Sequence, residues 1–149
     1  MKVVIGIDPD AKKHGVAIYI DGKLTDLLMN DLIELMNTIY QKQMIEFDTS
    51  VVVHIENVCA NNAAFGKKHV ANTKAATNIK RTLGMCQQAQ VEVERMCAHL
   101  DIEVVHHKIS SKWKNPKHGK AEFERLTGWT GRSNEDSRSA AWFGFLGSR

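Results

Sequence analysis

The chain has 149 residues, 43% hydrophobic and 25% charged, with 20 basic and 17 acidic residues and a net charge of +3. That length suits one domain, residues 1–149, around one sizeable core, and no window approaches the roughly twenty apolar residues that a membrane span needs. Cys59, Cys86 and Cys97 are an odd set without C-x-x-C spacing, which argues against a disulfide frame or zinc site and for reduced thiols in a cytoplasmic protein.

The opening Met1-Lys2-Val3-Val4-Ile5 enters a strand directly and leaves no room for a signal peptide. Val3-Val4-Ile5-Gly6-Ile7 is a short branched run of the kind buried on both faces of a sheet. Pro9 cannot donate to the ladder, so the strand ends at Asp8. Carboxyl ends of central strands are where open α/β sheets put ligands; a turn-capping role for Asp8 is the plainer alternative. Gly15 to Ile20 forms a second strand, Asp21-Gly22 a hairpin turn, and Lys23 to Met29 a third strand, so the chain opens as an antiparallel meander. Leu32, Leu35, Met36, Ile39 and Tyr40 then share one face of a helix that starts at Asn30 or Asp31 and fades near Met44.

Ser50 to Glu56 repeats the first pattern, a β-branched run with a carboxylate at its end. After a helical crossover it should lie parallel to the first strand, bringing Asp8 and Glu56 to one sheet edge. Two such carboxylates repel unless a cation lies between them; otherwise Glu56 merely begins a loop. His54 points to the same face as Glu56 and reads as a buried, hydrogen-bonded histidine. Residues 57–72 form a long polar connection that follows directly from Glu56 and is placed to overhang the carboxylates. A helix spans about Thr73 to Leu100, with Gly84 at a point of close backbone approach. Ile102 to His106 is a fifth strand, and Glu122 to Thr127 a short helix. The last helix begins at Ser133 and runs to about Leu146, with Ala140, Phe143 and Leu146 on its packing face. Asp136 lies near its start, either as part of a capping box with Ser133 or turned inward and kept ionised by the helix terminus.

The charge is uneven. No acidic residue occurs between Glu56 and Glu92, a stretch holding Lys67, Lys68, Lys74, Lys80 and Arg81. A second basic block includes Lys108, Lys112, Lys114, Lys117 and Lys120 against Glu122 and Glu124. Two such blocks favour a nucleic-acid partner. Trp113 among the lysines suits stacking on a base, with packing on the sheet as the alternative.

Three carboxylates, two ending β-runs and one opening the last helix, resemble the ribonuclease H-like nucleases. Within them the chain is similar to the Holliday junction resolvases of the RuvC family. The residues that carry this are Ile5-Gly6-Ile7-Asp8-Pro9 with Gly15-Val16-Ala17, Ile55-Glu56-Asn57-Val58, and Asp136-Ser137-Arg138-Ser139-Ala140-Ala141. The resemblance spans essentially the whole chain. It implies an α/β, ribonuclease H-like fold, a five-stranded mixed sheet (three-strand antiparallel meander plus parallel strands) flanked by helices. Asp8, Glu56 and Asp136 would be catalytic and would hold two Mg²⁺ or Mn²⁺ ions for phosphodiester hydrolysis leaving a 5′-phosphate. Lys112, Lys114, Lys117, Lys120 and Trp113, with Lys67, Lys68, Lys74, Lys80 and Arg81, would bind branched DNA, and the family implies a homodimer in a bacterial or virus-infected cytoplasm. Two departures mark a divergent branch. Asp10 replaces the usual Gly after Asp-Pro, and Ser133 stands where bacterial members carry a further acid, leaving Glu135 as a neighbouring substitute ligand that one residue of helix turns about 100° away. Rival readings are an actin-like ATPase or sugar kinase, a non-catalytic ribonuclease H-like module such as the YqgF-type family or a structure-selective DNA-binding protein, and a nuclease of the same fold acting on flaps, forks or RNA hybrids.

Overall fold

Five strands follow from five branched runs: β1 (Lys2–Asp8), β2 (His14–Ile20), β3 (Lys23–Asn30), β4 (Ser50–Glu56) and β5 (Glu103–His107). The computed structural model describes residues 1–60 and 74–149. The sheet order is β3-β2-β1-β4-β5. β1 pairs antiparallel with β2 and parallel with β4, and β4 pairs parallel with β5. The fold is therefore the mixed five-stranded, ribonuclease H-like sheet expected. Asp21 and Gly22 both take positive φ, 46° and 84°, as a two-residue hairpin turn between right-twisted strands requires.

Alternation along β1 assigns its faces. Val3, Ile5 and Ile7 join Val16, Ile18, Val53 and Ile55 in one core, covered by α1 (Leu32–Gln43) and α2 (Lys74–His99) through Leu35, Ile39, Val93 and Met96. Val4, Ala17 and Tyr19 face the other way and meet Ala140 and Ala141 of α4 (Glu135–Gly147), with Phe123 of α3 (His118–Thr127) in the same cluster. Asp8 shares the parity of Val4, and Glu56 that of Val52 and His54. Both carboxylates thus belong to the α4 side.

Several element details differ from the sequence expectation. α1 is capped by Asp31, whose side chain accepts from Glu34 N while Glu34 bonds back to the Asp31 N–H. Its buried stripe is narrower than the apolar pattern: Leu35 and Ile39 are buried, whereas Met36 and Tyr40 are exposed beside Ile33, Met44 and Phe47. Leu146 is likewise exposed. α3 starts four residues earlier than expected, because Asn115 Oδ1 accepts from the N–H groups of Lys117 and His118 and so caps a terminus that lacks a capping side chain at Lys117. Gly84 has no close neighbour among the described residues, so its expected tight contact is not found there. The expected overhang of residues 57–72, and Lys67 and Lys68 within it, lie largely outside the described residues.

Candidate active site

The site begins with strand geometry. Ile7 of β1 pairs with Ile55 of β4 in parallel register, so the next residues, Asp8 and Glu56, end neighbouring strands at the same edge. Both are buried, 7% and 3% exposed, at a depth where lone ionised carboxylates are costly. Burial and then Asp8 raise the Glu56 carboxyl to about 7. Glu56 Oε1 accepts a hydrogen bond from Ser110 N at 3.1 Å. Asp8 Oδ2 is buried without a well-aligned hydrogen bond, although a lysine ammonium lies 3.3 Å from it.

α4 brings the third carboxylate. Its axis crosses β1 and β2 at glycines: a Cβ on Gly6 would strike the Ala140 carbonyl, and one on Gly15 the Asp136 carbonyl. Gly15 is the register partner of Asp8, so the backbone of Asp136 rests beside the end of β1. The cap differs from the expected one. Asn134, not Ser133, closes the capping box with Ser137, which moves Asp136 one position towards the helix start. Burial, then Asp8, Asp10 and Glu135, raise the Asp136 carboxyl above its ordinary value. Asp136 is thus electrostatically joined to the pair. Among the described residues, however, no three His, Cys, Asp or Glu side chains gather closely enough to hold a metal ion. Glu135 is exposed. Asp10, in the position of the expected glycine, accepts from Lys12 N at 2.9 Å and so forms the turn after β1.

The cation beside the pair is Lys114. Its Nζ lies 3.3 Å from Asp8 Oδ2 and 4.0 Å from Glu56 Oε2. Burial works against this charge, but Asp8 and Glu56 outweigh it and raise the ammonium pKa. Lys114 therefore faces into the carboxylates rather than outward, as a DNA-contacting lysine was expected to. Its backbone is fixed from two sides. Arg138, 4% exposed, donates from Nε to the Trp113 carbonyl at 2.9 Å and from Nη2 to the Lys114 carbonyl at 3.0 Å. Trp113 has φ 65°, a left-handed conformation that costs a bulky residue on the order of 1–3 kcal/mol. Gly119 makes room for it: a Cβ there would lie 2.8 Å from the Trp113 carbonyl carbon.

Trp113 itself corrects an expectation. It is 1% exposed and packs against Phe123, Trp142 and Phe145 with ring centroids 5.2–5.4 Å away. A base cannot reach it, and the packing alternative holds. Lys112 pairs with Glu122 at 2.9 Å and Lys120 with Glu124 at 3.7 Å, while Lys74, Lys80, Arg81 and Lys117 are exposed. Ser110, Lys112, Asn115, His118 and Arg125 line an open cavity of about 680 Å³. His54 Nδ1 lies 2.7 Å from His107 Nε2, the rings are stacked, and Gly147 abuts His54. His54 is hydrogen-bonded as expected but only half-buried.

Sequence reasoning named Lys114 as a DNA contact and missed its place beside the carboxylates, and it missed Arg138 altogether as a site residue. Two buried acids demand a counter-charge, but four lysines share one loop and nothing in their order says which turns inward. Arg138 lies in a run of small residues, Ser137 to Ala141, all buried. That run signals close packing on every side of the helix, and a charged residue inside it must find buried acceptors.

As to donor chemistry, Asp8 and Glu56 offer hard carboxylate oxygens to a cation, and Asp8 Oδ2 already faces one, the Lys114 ammonium. The pair fits a divalent ion. Asp136 adds negative field, but it does not complete a three-carboxylate ligand group as the chain stands.

No protein-family model matches the sequence, and no curated protein sequence matches it. The fold is similar to that of RuvC from Thermus thermophilus. The structure of T. thermophilus RuvC in complex with Holliday junction substrate aligns with a TM-score of 0.55 at 12% identity, covering 97% of this chain and 91% of that one. Another Thermus thermophilus RuvC structure aligns with a TM-score of 0.50 at 12% identity, covering 98% and 93%. The likeness is one of fold: this chain has a RuvC-like architecture over nearly its whole length.

Proposed function

We propose that this chain is a divalent-metal-dependent endonuclease for branched DNA, and specifically a resolvase of four-way junctions. The observation that carries the reading is the buried Asp8–Glu56 pair, with a lysine ammonium beside it, at the carboxyl ends of the two central parallel strands of a RuvC-like fold. RuvC itself is seen in complex with Holliday junction substrate, and the two acid-poor basic blocks give this chain the sign of charge that such a partner needs.

In this reading Asp8 and Glu56 would hold Mg²⁺ or Mn²⁺, with Asp136 as a further carboxylate for the same site. Bound ions of this kind supply activation of the attacking water and stabilisation of the leaving 3′-oxygen, leaving a 5′-phosphate. The chain's own groups do the rest. Ser110 N orients Glu56 through Oε1, α4 holds Asp136 over Gly15, and exposed Lys117, Lys74, Lys80 and Arg81 neutralise the arms. Symmetric cutting of a junction requires two sites, so the acting species is a homodimer, which sedimentation of the protein on junction DNA would reveal.

The test incubates the protein with labelled four-way junction, fork, flap and duplex, with Mg²⁺ or with EDTA. Paired symmetric nicks confined to the junction are expected. Equal cutting of flaps or forks would replace the junction assignment with a broader branched-DNA nuclease. The Asp8→Asn variant should lose cleavage by at least a hundredfold and still bind the junction; normal cutting by that variant removes Asp8 from the mechanism. One observation favours a second reading. The Lys114 ammonium already offsets part of the pair's charge, which suits a non-catalytic branched-DNA-binding module that holds no metal. Tight junction binding without cleavage under any divalent ion would select it.

A further inference from the structure

An ammonium seldom enters a buried carboxylate site by accident, because a lysine's stem is flexible and its charge strongly hydrated. Here Lys114 reaches both Asp8 and Glu56 from a backbone that is held in place rather than merely permitted. Trp113 is kept in the left-handed region. Arg138 spans the carbonyls of Trp113 and Lys114 with two donors and reaches Ser133 Oγ with a third at 3.3 Å. Gly119 clears the space behind the turn. A strained residue persists only where its surroundings over-determine it, and these surroundings converge on delivering one ammonium.

We propose that Lys114 is a built-in counter-cation of the Asp8–Glu56 pair, a reversible occupant that a divalent ion must displace, and that Arg138 is the residue that positions it through the Trp113 turn. The inference rests on the reading of Asp8 and Glu56 as metal ligands. A divalent ion held by Asp8 would share Oδ2 with the ammonium. Lys114 Nζ is 3.3 Å from the same atom. Two positive centres sharing one buried carboxylate oxygen repel. Lys114 therefore lowers the affinity of the resting protein for metal. Once displaced, its charge is free to meet a phosphate, so metal loading and DNA engagement reinforce each other.

The experiment measures Mn²⁺ binding to the full chain without DNA, by calorimetry and by loss of the free-ion electron paramagnetic resonance signal. Lys114→Met should bind Mn²⁺ about tenfold or more tightly than the wild type. Arg138→Lys keeps the charge but loses the fork, and should tighten binding in the same direction. Added to Lys114→Met, it should change nothing further, because Arg138 acts through Lys114. Should Arg138→Lys fail to fold, Gly119→Ala disturbs the same turn from the other side and carries the same expectation. Equal or weaker Mn²⁺ affinity in Lys114→Met, or no detectable binding by either protein, overturns the proposal. An additive effect of Arg138→Lys on top of Lys114→Met overturns the positioning role. These outcomes are independent of cleavage. A wild type that cuts junctions while Lys114→Met shows no tightening loses the counter-cation and keeps the nuclease; tightening without any cleavage does the reverse.

Discussion

Glu56 binds a proton in the folded chain that the unfolded chain releases near 4.5, since burial and Asp8 lift its carboxyl to about 7. A raised folded-state pKa contributes stability that is fully present below 4.5 and is lost as pH rises through 7. The Glu56→Gln variant, which has no proton to lose, should melt higher than the wild type at pH 8, with the gap closing towards pH 4.5. Thermal melts at the two pH values check this, and a gap independent of pH would show that Glu56 carries no such penalty. Trp113 and Lys117, four residues apart, should behave as opposites. Trp113→Ala empties a core position and should cost about 3–5 kcal/mol in denaturant unfolding. Lys117→Ala should stay within about 0.5 kcal/mol of the wild type and instead lower the slope of log affinity against log salt on junction DNA by about one.

At the scale of elements, the placement of α4 depends on what β1 and β2 lack. Gly6 and Gly15 let the helix backbone rest on the sheet, and a methyl group at Gly15 would meet the Asp136 carbonyl. Gly15→Ala should therefore cost about 1–3 kcal/mol and move Asp136 away from Asp8, so that its carboxyl returns towards the ordinary range in an NMR titration. An unchanged Asp136 titration in a folded Gly15→Ala protein would mean that burial sustains the raise without help from Asp8. The strands were legible because branched runs such as Val51-Val52-Val53 have few other ways to be buried, and Asp8 and Glu56 were legible as the polar ends of those runs. The start of α3 was not, because its cap is Asn115, set back behind Pro116 and outside the usual capping position. The exposed side of α1 was not, because Met36 and Tyr40 match the helical period as well as Leu35 and Ile39 do; which of them is covered is decided by α2 and the sheet. The inward turn of Lys114 depends on Arg138, 24 residues away, and no local pattern encodes it.

At the scale of the whole molecule, the basic blocks lie apart in sequence, on α2 and around α3, and the carboxylates lie at the end of the sheet. Substituting Lys80 and Arg81 together by Ala should weaken junction binding across sequences, relieved at high salt, without changing the rate of cutting of bound DNA; single-turnover kinetics at saturating protein would separate the two effects. The His54–His107 contact has a different reach. Burial, His107 and Lys2 depress His54 to about 4, so the unfolded chain takes up a proton that the folded chain refuses, and stability declines as pH falls from 6.5 to 4. Glu56, two residues along the same strand face, gains over nearly the same interval. One strand end thus acts as its own pH compensator: acidification loosens it through a histidine and tightens it through a carboxyl, leaving a plateau between about 4.5 and 6.5 that replacing either residue would tilt, in opposite directions.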